Sequence, residues 1–227
     1  MFITLITTTR DRPDLFIDCI LSVAKQTYKN FEWLIYIDDD IAKYDRCLWL
    51  IQKLIPQAQV FGGVKIGRAK ALHVSHLRAN GDYIGWLDDD DWLHPDCLQY
   101  CSGGKSEIIY TDFFTVKNGI ANISGLNKIP FNKSNFLKNN CLFHFLIFSK
   151  QIYLDSGNYI NCNFDTTMDV ELRYRMLSIR PISPEKIDKS LYFYRLHKNR
   201  ISINLNRLQR ANFIKIKKLY EHQLKIA

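Results

Sequence analysis

Two strand-like runs in this chain end in blocks of aspartate, and this constrains the fold more than any other feature. Tyr83 to Leu87 runs straight into Asp88-Asp89-Asp90-Asp91, and Trp33 to Ile37, β-branched and aromatic, stops at Asp38-Asp39-Asp40. In an open α/β sheet the ligand crevice lies outside the carboxyl ends of the strands, so both blocks should hang over the same edge. Seven carboxylates at one rim repel each other unless a cation or hydrogen-bond donors lie between them. A divalent metal is the natural candidate, because Mg²⁺ and Mn²⁺ take oxygen ligands, often one or two carboxylates plus substrate phosphates. Asp88 and Asp90, two apart in an extended stretch, can face the same side. The alternative is a solvated acidic turn capping the next helix. An EF-hand loop is excluded, since the sixth position from Asp88 is Leu93 and the twelfth is Gln99. Neither a Walker-type glycine loop nor a GxGxxG is present to cradle phosphate instead.

The remaining pattern predicts the sheet that such an edge requires. Ile3 to Ile6 reads as a strand ending at Thr7-Thr8-Thr9 and the polar turn Arg10-Asp11-Arg12-Pro13, with Asp14 capping a helix that carries Phe16, Cys19, Ile20 and Val23. Helices over 46–54 and 69–79, a third strand at 59–61 and a further one opening at Ile108 continue the alternation. Residues 115–140, rich in Asn, Lys, Gly and Ser, read as irregular loop; helical spacing returns at Met168 to Met176, a strand at Leu191 to Tyr194 and a long helix after Ser202. This order predicts an α/β fold with a doubly wound, mostly parallel, Rossmann-like sheet and a C-terminal amphipathic helix. With 227 residues and 47% hydrophobic content, the chain can bury one large core of that kind.

Charge and cysteine usage narrow the function classes. Nine of the 31 basic residues, against the single acid Glu221, lie from Arg195 onward, leaving 22 of each sign before it. A nucleic-acid partner is therefore not expected, since it would want a basic stripe across the domain itself. The six cysteines are scattered, with no CxxC pair, and predict buried thiols rather than disulfides or a zinc site. No apolar run approaches the roughly 18 residues of a membrane span, and the expectation is a soluble, cytoplasmic protein.

Further segments occur in a telling order. Ile3 to Pro13, Ser22-Val23 and Gln26 to Glu32 make a first unit. Gly67 to His73 and Ala79 to Ile84 lead into Leu87 to Asp96; Gly157, Asp165 and Met168 to Arg175 follow, and Tyr194-Arg195-Leu196-His197 with Ser202 close the series. Together these resemble the family 2 glycosyltransferases with the GT-A fold, as far as about Ser202. The resemblance implies inverting transfer of a sugar from a nucleotide-diphosphate donor to the hydroxyl of a saccharide or lipid-linked acceptor, helped by Mn²⁺ or Mg²⁺. It implies Asp90 as metal ligand, with His197 completing the shell, and Asp88 and Asp89 near the ribose and diphosphate. Thr8, Arg10, Lys70 and Arg195 join the donor-binding set, with Asp38 and Asp39 competing for the nucleobase role. Asp169 falls at the position of the general base, with Glu171 as fallback. Residues 1–112 would form the nucleotide-binding half, 113–202 the acceptor-side half and 203–227 a basic helix. The chain departs from the family pattern at Met168, where a second acid is usual, and at His73, where Asn is common.

Two rival readings are a sugar-1-phosphate nucleotidyltransferase and a non-catalytic nucleotide- or carbohydrate-binding module. The first would want a Gly-rich basic loop after the first strand, where Thr8-Thr9-Arg10-Asp11 has no glycine. On the last helix, Leu205, Leu208, Phe213, Ile216, Leu219, Tyr220 and Leu224 fall on one face. Arg207, Arg210, Lys217, Lys218 and Lys225 fall opposite, with Ile214 the exception. Such a helix can pack on the domain and still present its basic face to an anionic membrane, which would place the protein peripherally at the inner face.

Overall fold

A computed structural model describes residues 1–142, 144–198, 200 and 206–226. Its first half is the predicted alternation. β1 (Ile3–Thr9), β2 (Phe31–Ile37), β3 (Gln59–Gly62) and β4 (Tyr83–Trp86) lie parallel in the order β3-β2-β1-β4. The register pairs Thr9 with Ile37 and Ile6 with Trp86. Asp38 and Asp88 therefore emerge from the same edge, as the strand-to-aspartate pattern requires. Side chains alternate across the sheet with the period of two that strands impose. Ile3, Leu5, Trp33 and Ile35 pack with Phe16 and Ile20 of α1 (Pro13–Ala24) and Cys47 and Ile51 of α2 (Asp45–Leu54). On the opposite face, Ile6, Leu34 and Ile84 pack with Leu72 of α3 (Arg68–Arg78). Asp14 is not the helix cap: Pro13 occupies the first turn, where its missing N–H costs nothing, and moves the cap to Arg12.

Beyond β4 the sheet turns antiparallel. β8 (Leu146–Ser149) pairs with β4 and with β6 (Ile108–Lys117), and Gly85 allows the close approach, since a Cβ there would meet Phe145 Cζ at 2.7 Å. The segment expected to be irregular contains β7 (Ile120–Ile123), which pairs only with β6 among the described strands, and α5 (Lys133–Asn139). Its polar composition hides short exposed elements: all four β7 residues face solvent. β9 (Glu185–Arg195), longer than predicted, runs parallel to β6 and antiparallel to the two-residue β5 (Trp92–Leu93). Trp92 pairs with Phe193, which draws the chain around Arg195 against the aspartate turn, and α4 (Cys97–Ser102) follows β5.

α6 (Lys150–Asp155) and α7 (Met168–Ile179) cover the second face, and α8 (Asn206–Ile226) packs on α7. Ile216 and Leu224 are buried, and Phe213 meets the Tyr174 ring edge-on at 6.1 Å. The predicted apolar face is only partly right. Leu208 and Leu219 are about half exposed, because they lie about a quarter turn round the helix from the buried stripe; Ile214 is exposed as expected. Leu205 and Ser202 lie outside the described residues. Five cysteines are buried and Cys162 is exposed, all of them free thiols. No helix among the described residues is long and apolar enough to cross a membrane.

Candidate functional site

The strand ends open into a cleft of about 650 Å³. Of the residues singled out from sequence, Thr8, Arg10, Asp38, Asp88, Asp89, Asp90 and Asp169 line it. The aspartates after β4 form a turn rather than an extended stretch, closed by the Asp91 N–H donating to the Asp88 carbonyl at 3.3 Å. Turning brings a third carboxylate into the group: oxygens of Asp88, Asp90 and Asp91 lie within 4.8 Å of one another. Asp91 is committed elsewhere, since its carboxylate accepts from Tyr192 Oη at 2.6 Å and from the Arg195 N–H at 2.7 Å. It clasps β9 to the turn.

Cations keep this acidic rim together. Arg12 Nη1 bridges Asp89 at 3.2 Å and Asp90 at 2.5 Å, and Arg68 pairs with Asp88. His197 Nε2 lies 2.9 Å from the same Asp90 oxygen that Arg12 holds. Arg195 donates from Nε to the Asp90 carbonyl at 2.8 Å and from Nη2 to Asp18 at 2.6 Å, so it buttresses the turn. The environments push these carboxyls apart. Burial would raise Asp88, but Arg68 overrides it and holds the group below its usual range. Burial, then the Asp90 charge, pushes Asp89 up to about 7, and the same pair of causes raises Asp91 well above the carboxylate range. Asp89 Oδ2 is buried without a hydrogen-bond partner.

The second block divides. Asp38 Oδ1 accepts from the Ile66 and Gly67 N–H groups at 2.6 and 3.0 Å, and Gly67 supplies the positive φ of 89° that starts α3 there. Arg10 Nη1 stands 3.8 Å from Asp38 Oδ2. Asp39 does not line the cleft; fully buried, it is held by Lys43 and Lys65 at 3.0 and 3.1 Å. Lys70 is exposed and away from the cleft as well. Two residues along a helix point about 200° apart, so Arg68 faces the aspartates and Lys70 faces solvent.

On the far wall, Asp169 sits in the first turn of α7, with its carboxylate 3.1 Å from Arg173 Nη2. Glu171, the fallback base, is unavailable: it is fully buried, paired with Arg175 Nε at 3.1 Å and accepting from Tyr220 Oη at 2.6 Å. That network ties α8 to α7. Arg12, Arg68, His144 and Arg173 all line the cleft and were not picked out from sequence as site residues. The repulsion among the carboxylates was the available signal, because it demands cations between them and the chain supplies arginines.

Known proteins resemble this chain in sequence and in fold. The family model described as glycosyl transferase family 2 matches residues 4–103. The chain is 23% identical, over 85% of its length and 80% of the relative, to WcaA of Escherichia coli K12, whose name assigns it provisionally to glycosyl transfer in colanic acid biosynthesis. Staphylococcus aureus TarS 1–349, solved with UDP-GlcNAc, superposes with a TM-score of 0.72 at 17% identity, covering 98% of this chain and 72% of that one. The mannosyltransferase PcManGT of Pyrobaculum calidifontis, solved with GDP-Man and Mn²⁺, gives 0.66 at 13% identity, covering 95% and 62%. The chain spans only 22% and 20% of two longer Pasteurella multocida synthases that it also matches.

Asp39 yields a stability prediction. Burial alone would raise its carboxyl, but Lys43, the Asp40 N–H and Lys65 outweigh it and hold the group well below the usual range. A depressed folded pKa stabilises the protein above the unfolded value of about 3.9, and that contribution disappears as pH falls further through the folded value. Asp39→Asn should lower the urea midpoint at pH 7 by about half a molar, discounted because both lysines are half exposed to water. The gap should shrink below about pH 4; a gap as large at pH 3 would contradict the assignment.

Proposed function

We propose that this chain, matched to the family 2 model over residues 4–103, is a member of that glycosyltransferase family and moves a sugar from a nucleoside diphosphate to an acceptor hydroxyl with inversion at the anomeric carbon. One observation carries this reading: Asp169 and the Asp88–Asp90 turn line the same cleft. In this reading Thr8, Arg10 and Asp38 receive the nucleoside, and Asp38 Oδ2 is the oxygen turned toward Arg10. Asp169 takes the proton of the acceptor hydroxyl as its oxygen bonds to the anomeric carbon. The bond from that carbon to the diphosphate breaks, and its electron pair leaves with the nucleoside diphosphate. Inversion follows if attack and departure occur on opposite faces in one displacement.

The donor set fits a hard divalent ion. Carboxylate oxygens cluster within 4.8 Å, and the buried Asp89 Oδ2 lacks a partner. Mg²⁺ and Mn²⁺ both suit such oxygens. Asp88 and Asp90 would hold the ion, with His197 beside Asp90, and Arg12 would give up its contact there. When bound, the ion supplies Lewis-acid stabilisation of charge on the leaving diphosphate. Asp169→Asn should lower the rate of sugar transfer by roughly 10²- to 10⁴-fold and leave donor affinity nearly unchanged. Wild-type turnover in the variant would remove Asp169 from the mechanism.

We also propose peripheral contact with an anionic membrane on the cytoplasmic side, reached through the outer face of α8. Exposed Leu208, Ile214 and Leu219 lie among exposed Arg207, Lys215 and Lys218, and each basic residue near such a surface contributes about 1 kcal/mol. Co-sedimentation should require anionic lipid and weaken with added salt. It should also fall when Arg207, Lys215 and Lys218 become Gln. Equal partitioning to neutral and anionic vesicles would contradict the contact.

A further inference from the structure

A second groove, of about 600 Å³, lies among α5, α7 and α8. It meets the first cleft at three residues, for Thr166, Asp169 and Gln209 line both. We infer that this groove is the acceptor site and that it takes an anionic saccharide, a chain of sugars carrying uronate carboxylates. The inference rests on the glycosyl-transfer reading, in which Asp169 must touch the acceptor hydroxyl while the donor fills the other cleft. A carboxylate reached from two separate cavities meets that requirement.

Unsatisfied polar groups mark the groove as built for a ligand. Asn140 Oδ1 and Thr167 Oγ1 both belong to its lining, and both are buried without a hydrogen-bond partner. Thr167 is only 5% exposed and stands at the start of α7, yet its hydroxyl does not cap the helix. Leaving such groups unpaired costs free energy that a hydroxyl-bearing ligand can recover. Asn140 adopts a left-handed φ of 47° at the end of α5.

The charge specifies the ligand further. Lys138 on α5 and Arg210 on α8 line the groove, and neither pairs with a carboxylate among the described residues. Asp169 is the single acid of the lining. One cation on each of two helices suits single negative charges spaced along a saccharide better than one dense dianion. Phe213 supplies an apolar surface on which the C–H face of a sugar ring can lie.

The test compares an oligosaccharide of alternating glucuronic acid and N-acetylglucosamine with its carboxyl-reduced, neutral form, binding being followed by saturation-transfer NMR and calorimetry. The charged form should bind the intact chain roughly tenfold more tightly. Lys138→Gln with Arg210→Gln should abolish that preference; both side chains are exposed, so folding is not at stake. Thr167→Val should weaken both forms without lowering the melting temperature, whereas a capping role would lower it. Equal binding of the two forms, binding of neither, or an undiminished preference in the double variant would overturn the inference. Nucleoside diphosphate binding on the same samples reports separately on the donor cleft. Its absence from the wild type would contradict the glycosyl-transfer reading, whereas its presence with no charge preference would contradict the groove alone.

Discussion

Carboxylates crowded on one sheet edge, and the guanidinium and ammonium groups set among them, are the interaction on which the rest of this structure depends. Neither block could stand there uncompensated, because like charges in a partly buried rim raise one another's proton affinity. Arg12 and Arg68 compensate the block after β4, and Lys43 and Lys65 the block after β2. The two solutions differ in place. Asp39 is fully buried with both lysines on it and serves the fold, whereas Asp88 to Asp90 line the cleft together with Arg12 and Arg68.

The distant parts of the chain serve that edge. Asp91 lies at the centre of the clasp: the β5–β9 pairing and its bonds to Tyr192 and Arg195 bring His197 to Asp90 across more than one hundred residues. Across the cleft, α7 carries half-buried Asp169 in its first turn and Glu171 on its buried side. Two acids two positions apart on one helix thus stand in opposite settings, one lining the cleft and the other binding α8 through Tyr220. The same helix pair then forms a wall of the second groove.

Much of this was legible in the amino-acid sequence, for identifiable reasons. The β1–β4 half follows from strand and helix periods, and the acidic rim from strands that end in aspartate; Asp38, Asp88, Asp90 and Asp169 all reached the cleft. What failed to read depends on helical phase and on contacts between distant segments. Lys70 and Arg68 differ only in the side of α3 that each occupies, and the separate placements of Asp38 and Asp39 are set by Gly67 and Lys65, far along the chain. The short elements within 115–140 escaped because their exposed, polar residues carry no hydrophobic period. Leu208 and Leu219 looked like core on a helical wheel, but the facing helix covers only part of that arc.

We propose that the aspartate turn exchanges arginine contacts for a divalent ion and the donor's diphosphate. The most direct measurement is calorimetric titration of UDP and GDP, with and without Mn²⁺, into the wild type and Asp90→Asn. Mn²⁺ should tighten binding of at least one nucleotide to the wild type by about tenfold or more, on the pattern of hard cations bridging carboxylate and phosphate, and the substitution should abolish this gain while the protein remains folded. Unchanged Mn²⁺ dependence in Asp90→Asn would contradict it.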